Sequence, residues 1–120
     1  MEFTQQESNP NSIVSYHESL ITLSHKKLKT PCYISQKNAH EVPTHSLDNI
    51  DKELLFKITC QNPIDLLIIG TGERVRFLTP KQQVSISKLG MGVECMNNSS
   101  ACSSFNLLLS DARVVGLLIL

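Results

Sequence analysis

The chain has 120 residues, 41% apolar and 18% charged, enough to bury one core without disulfide or metal staples. Eleven basic and eleven acidic residues cancel and no basic stripe stands out, which argues against nucleic acid and against an anionic membrane surface as partners. No apolar run reaches the ~18 residues of a membrane span. The polar start MEFTQQESNPNS lacks the basic and apolar regions of a secretory signal.

Residues 1–11 read as a flexible tail, and 12–120 as a single α/β domain. The runs 13–16 and 20–23 are β-like and split by His17, Glu18 and Ser19, which predicts a hairpin. The basic stretch 24–29 (SHKKLK) reads as a turn. Strand character returns at 30–35, with Pro31 favouring its beginning or an edge. The polar stretch 37–44 reads as loop with room for one short strand. Leu47, Ile50, Leu54, Leu55 and Ile58 fall on one helical face, with Ser46 or Asn49 as cap and Asn62-Pro63 as stop.

Next comes DLLIIGTGERVRF at 65–77. An apolar strand stops at Gly70-Thr71-Gly72, and charge follows at Glu73, Arg74 and Arg76. In α/β folds such strand ends deliver polar loops to the edge where sites collect. Thr79 before Pro80 is a strong helix start, and Gly90 suits its stop. Gly92–Met96 is a short strand. Asn97 to Ser100 supply caps for a last helix, whose Ala101, Cys102, Phe105, Leu108 and Leu109 share one face with Asn106 at its edge. A turn at Asp111-Ala112 leads to a final strand over 113–120. Strand–helix–strand–helix–strand with short connections predicts parallel strands beside an antiparallel first half, hence a mixed central sheet with packed helices.

Glycine usage differs along this path. Gly72 sits in a turn that needs backbone freedom, whereas Gly116 lies mid-strand, where a methyl should be more easily accommodated.

Three blocks carry a family likeness: GTGERVRFLTP at 70–80, GMGVECM at 90–96 and SACSSFNLLLSDARVVGLLI at 100–119. In this order and spacing the chain resembles a small family containing the mitochondrial assembly factor of respiratory complex I and many bacterial and archaeal relatives. The resemblance runs from about Ile13 to the C-terminus. It implies a mixed-sheet α/β fold, no established enzyme activity and action through protein partners. Many relatives carry an acidic residue at the place of Asn97 and a basic one at the place of Ser103. An anion-binding or charge-pairing role at those places does not carry over.

No catalytic set emerges from the residues. Gly70-Thr71-Gly72 lacks the third glycine of a dinucleotide fingerprint and is followed by the extended-looking RVRF rather than a helix. Arg74 and Arg76 can fork onto an anion or stand solvated at an edge. Cys102 lies in a first helical turn, where a thiolate is favoured, yet no histidine follows His45 to act as base; buried structural cysteine is the plainer reading. Asn106 can contact a ligand or tie a loop to its helix. Histidines 17, 25, 40 and 45 and cysteines 32, 60, 95 and 102 have no metal-ligand spacing, so neither metal nor cofactor is expected. The cysteine spacing fits reduced thiols in the cytoplasm.

Two functions stay open. One is a non-catalytic protein that assembles or matures a larger complex. The other is a small-molecule-binding protein or cryptic enzyme. The candidate site for partner or ligand is the edge made by Gly70, Thr71, Gly72, Arg74, Asn97, Ser99, Cys102 and Asn106. It requires strands 64–69 and 92–96 to be parallel neighbours joined by the helix at 80–89.

Overall fold

The computed structural model describes residues 2–3, 9–43, 46–111 and 113–120. Most of the 1–11 segment, His45 and the turn residue Ala112 lie outside the described residues. Strands β1 (Ser15–His17), β2 (Leu20–Thr22) and β3 (Lys27–Lys29) form an antiparallel sheet of their own. The hairpin turns through Glu18 and Ser19, at φ 48° and 64°, the positive values whose twist suits a two-residue connection.

The reading of 24–29 as a turn is corrected. Only Ser24 and His25 turn, closed by the Leu23 N–H donating to the Lys26 carbonyl at 2.8 Å, and Lys27–Lys29 pairs with β2. Leu28 is buried between two exposed lysines, so three residues of alternating polarity make a half-buried strand.

The central sheet contains β4 (Cys32–Ser35), β5 (Ala39–Glu41), β6 (Leu66–Gly70), β7 (Gly92–Met96) and β8 (Val115–Ile119), in the order β5-β4-β8-β6-β7. The last strand, β8, takes the middle, parallel to β6 and antiparallel to β4. The mixed α/β sheet with an antiparallel first half is therefore present.

The helical face read from Leu47 to Ile58 is two helices. A 3-10 turn, Leu47–Asn49, is capped by the Ser46 hydroxyl. Helix α1 (Lys52–Thr59) then starts afresh, because the Asp51 carboxylate accepts the Leu54 N–H at 2.8 Å. Helix α2 (Pro80–Ser87) opens on a capping box: the Thr79 hydroxyl accepts the Gln82 N–H while the Gln82 side chain accepts the Thr79 N–H. Helix α3 (Asn98–Leu109) is capped by Asn97.

Strand alternation splits the core in two. On one face of the sheet, Cys32, Ile34, Ile68 and Leu117 pack against α3 and the three-stranded sheet. On the other, Tyr33, Leu67, Ile69 and Leu118 pack against α1, α2 and the 3-10 turn. Each fully buried Ile or Leu contributes roughly 1.5–3 kcal/mol of transfer free energy.

Two described residues of the N-terminal segment are tied to this body. The Phe3 N–H donates to the Val14 carbonyl, and the buried Asn11 amide donates to the Ser35 carbonyl at 2.8 Å. The expectation for Gly116 is overturned. A Cβ there would lie 2.7 Å from both Ile64 Cδ1 and the Tyr33 hydroxyl, because the tyrosine side chain lies over the glycine.

Candidate functional site

β6 and β7 are parallel neighbours, joined by the α2 crossover, with Gly70 opposite Met96. Their C-terminal ends therefore meet, and 70–72 touches 96–98. The Thr71 N–H donates to the Met96 carbonyl at 2.9 Å, and the Asn98 N–H to the Gly72 carbonyl at 2.8 Å. Gly72 stands at φ +100°, a value L side chains rarely adopt. The Thr71 hydroxyl accepts the Arg76 N–H at 2.9 Å and donates to the Arg74 carbonyl at 2.8 Å, curling the loop back on itself. The RVRF segment joins no sheet among the described residues, and the Arg74 and Arg76 side chains are exposed.

The residue that organises this corner is one that sequence reasoning missed. Asn98 is buried, and its Oδ1 accepts the Gly72 N–H at 2.8 Å. Its Nδ2 donates to the Tyr16 hydroxyl at 2.9 Å and reaches the Leu120 carbonyl at 3.5 Å. Its neighbour Asn97 does the capping, with Oδ1 accepting the Ser100 N–H at 2.8 Å. Two adjacent asparagines advertise turn and cap chemistry, but a sequence does not tell which of them turns inward.

The corner is filled as well as latched. A Cβ on Gly70 would lie 2.5 Å from both Asn98 Oδ1 and Ile119 Cδ1. The Asn98 and Ser100 N–H groups, the donors a helix start would offer an anion, are already engaged by the Gly72 carbonyl and the Asn97 amide.

The eight predicted residues thus separate. Gly70, Thr71, Gly72 and Asn97 meet at the corner, with Arg74 on its exposed loop and the half-buried Ser99 in the first turn of α3. Cys102 and Asn106 are buried in the layer beneath the three-stranded sheet. Burial pushes the Cys102 thiol up to about 12, with Cys32 adding to the rise, so it stays protonated and unreactive. Asn106 ties the first strand's approach to the helix: Oδ1 accepts the Ile13 N–H at 2.7 Å and Nδ2 donates to the Ile13 carbonyl at 2.9 Å.

Several clefts lie away from this corner. A cleft of about 300 Å³ runs beside the outer strand β7, lined by Phe77, Leu78, Gln83 and residues 93–95. Here Cys95 is half-buried; burial raises its thiol pKa, and a hydrogen bond with the Leu78 backbone offsets part of the rise. Among the described residues β7 has β6 on one side only. Phe77, which lines this cleft, is 70% exposed, and Val75 and Val84, in the loop and helix between β6 and β7, are 47% and 61% exposed. At the opposite end of the sheet, two further clefts of about 310 and 240 Å³ border the α1–β6 connection. Among the described residues no group of His, Cys, Asp and Glu has the placement to hold a metal ion, and no helix is long and apolar enough to cross a membrane.

Residues 13–120 match the model of a family described as protein of unknown function (DUF498/DUF598), and the chain belongs to that family. The Xenopus tropicalis NADH dehydrogenase [ubiquinone] 1 alpha subcomplex assembly factor 3 is 29% identical over 103 residues, which cover 85% of this chain and 56% of that protein. The chain thus spans little more than half the length of this relative. A 13 kDa major membrane protein of Francisella tularensis is 35% identical over 75 residues, covering 62% of this chain and 59% of that protein. Among solved structures, a Bordetella parapertussis protein superposes with a TM-score of 0.82 at 22% identity, over 96% of this chain and 98% of that one. That likeness shows the fold.

Proposed function

We propose that this protein is non-catalytic and acts through a protein partner, in the assembly or maturation of a larger complex. The observation that carries the reading is the outer strand β7, which among the described residues pairs on one side only and is flanked by a cleft that the exposed Phe77 lines. An open strand edge presents unpaired N–H and C=O groups, and a flanking cleft gives alternate side chains of an added strand a place to sit. The occupant this geometry favours is therefore an extended segment of the partner, laid along β7. The name of the Xenopus relative, an assembly factor for NADH dehydrogenase, supports the assembly role. The engaged polar groups at the Gly70–Asn98 corner and the buried, protonated Cys102 support a role without chemistry. The cysteine spacing supports a cytoplasmic setting.

The test is affinity purification from native lysate with mass spectrometry, comparing wild type with Phe77→Ser and Val84→Ser. A stoichiometric partner held by wild type and lost from both variants, at unchanged melting temperature, is the expected result. Equal capture by all three proteins would place the contact elsewhere.

A further inference from the structure

The polar chemistry left unused by the fold lies at the end of the sheet opposite the corner. Two clefts there share one wall, Gln61 and Asn62, in the connection from α1 to β6. The larger, about 310 Å³, faces Lys37 in the β4–β5 turn and has an apolar floor of Pro63, Ile64 and Val114. The smaller, about 240 Å³, faces Lys57, His40 and Cys60.

The charge on these walls is of one sign. Lys37, Lys57 and His40 are the titratable nitrogen bases, Cys60 is a thiol, and no carboxylate lines either cleft among the described residues. Both lysines are exposed, and Gln61 and Asn62 bring amide N–H donors to the wall between them. Two of the lining residues, Ser35 and Ile64, lie next to the buried Tyr33 hydroxyl, which itself lines neither cleft.

We propose that the joined clefts bind an organic carboxylate with a short apolar body. The charged head sits at the Gln61–Asn62 wall, between Lys37 and Lys57. Ammonium and amide donors favour a carboxylate there through charge-assisted hydrogen bonds. The apolar body lies on Pro63, Ile64 and Val114, in a space at the lower end of the size range of small-molecule pockets. The same chemistry can come from two sources: a free short-chain acid, or the terminal carboxylate of a peptide ending in an apolar residue. This inference goes beyond the partner reading and does not depend on it, because β7 lies on another edge of the molecule.

The experiment titrates the isotope-labelled full chain with hexanoate, hexanamide, acetyl-glycyl-leucine and its C-terminal amide, following the Gln61 and Asn62 amide signals by NMR. A carboxylate should shift these signals saturably, and the matching neutral amide should bind about tenfold more weakly, one charge-assisted contact's worth. Hexanoate binding more tightly than the peptide assigns a free acid; the reverse assigns a chain terminus. Lys37→Gln and Lys57→Gln should each weaken binding severalfold at unchanged melting temperature, and the Lys→Arg variants should retain it. Cys60 gives an independent readout, since bound carboxylate should slow its alkylation by iodoacetamide, scored by peptide mass spectrometry. Neutral amides binding as tightly as carboxylates, no saturable shift with either acid, or Lys→Gln variants that bind hexanoate as wild type does would each overturn the proposal.

Discussion

The two ends of β6 treat their polar groups in opposite ways. At its C-terminal end, Gly70–Gly72 and Asn97–Asn98 satisfy one another, and the space above Gly70 is occupied by Asn98 and Ile119. At its N-terminal end, Ile64 borders open clefts, and the nearby Tyr33 hydroxyl is buried without a partner. Topology gathers loops at the carboxyl ends of parallel strands, which is why sites collect there. Gathered loops make a site only where the chain does not consume their donors and acceptors itself. In this protein one buried asparagine consumes them at the corner, whereas two clefts border the other end.

The sharpest way to break this comparison is Gly70→Ala. The added methyl must displace Asn98 Oδ1 or Ile119 Cδ1, each 2.5 Å from where it would stand, in a wall that is fully packed. Overpacking of this kind costs about 3 kcal/mol, the upper end of the usual range. Urea denaturation checks it. A Gly70→Ala protein as stable as wild type would mean that the corner has room, and the site would move back to it.

Next in size is the difference between two neighbours. Asn98→Ala removes the acceptor of the Gly72 N–H and a donor to the Tyr16 hydroxyl, two part-buried bonds made by a buried side chain, a loss of about 2 kcal/mol. Asn97→Ala removes a helix cap that stands nearer solvent, about 1 kcal/mol. Thermal or chemical denaturation should therefore rank Asn98→Ala as the more damaging. The opposite order would make Asn97 the corner's organiser.

The split between Asn97 and Asn98 also marks how far the sequence could be read. β7 was legible to the residue, because GVECM, with Val93, Cys95 and Met96 around a single charge at Glu94, sits between the Gly90 stop and an asparagine pair. The adjacency of β6 and β7 was legible from the Thr79-Pro80 helix start between them, since a single short helix is a natural parallel crossover. Of the two readings open for Asn106, its hydrogen bonds to Ile13 show the tie. Other features depend on distant partners and leave no local signature. Lys27–Lys29 is a strand because β2 is there to pair with it. Asp51 starts a second helix by outcompeting a continuous apolar face. Gly116 is sterically required because Tyr33, far away in sequence, covers it. The filled state of the corner belongs to the same class: glycines and asparagines at a strand end describe a vacant cradle as well as an occupied one.

The smallest effects come from two tyrosines, one at each end. The Tyr16 hydroxyl accepts from the Asn98 amide at 2.9 Å, so Tyr16→Phe should cost about 1 kcal/mol. The Tyr33 hydroxyl is buried without a partner, so Tyr33→Phe should cost nothing or stabilise slightly at neutral pH. The pH dependence separates the two further. Burial raises the Tyr33 hydroxyl from 10.0 to about 12. The unfolded tyrosine therefore releases its proton above pH 10 while the folded one holds it until about 12. The unfolded state then binds fewer protons, so wild type loses stability as pH rises through that window, by at most about 1.4 kcal/mol per pH unit from this group. Cys32 and Cys102, both raised to about 12, add the same sign of slope to wild type and variant alike. Tyr33→Phe should thus gain on wild type from pH 10 upward and match it below. Chemical denaturation at pH 8 and at pH 10.5 measures both arms. A Tyr33→Phe protein that loses 1 kcal/mol or more at pH 8 would show that the hydroxyl is held by a bond after all, and the contrast between the ends of β6 would rest on Asn98 alone.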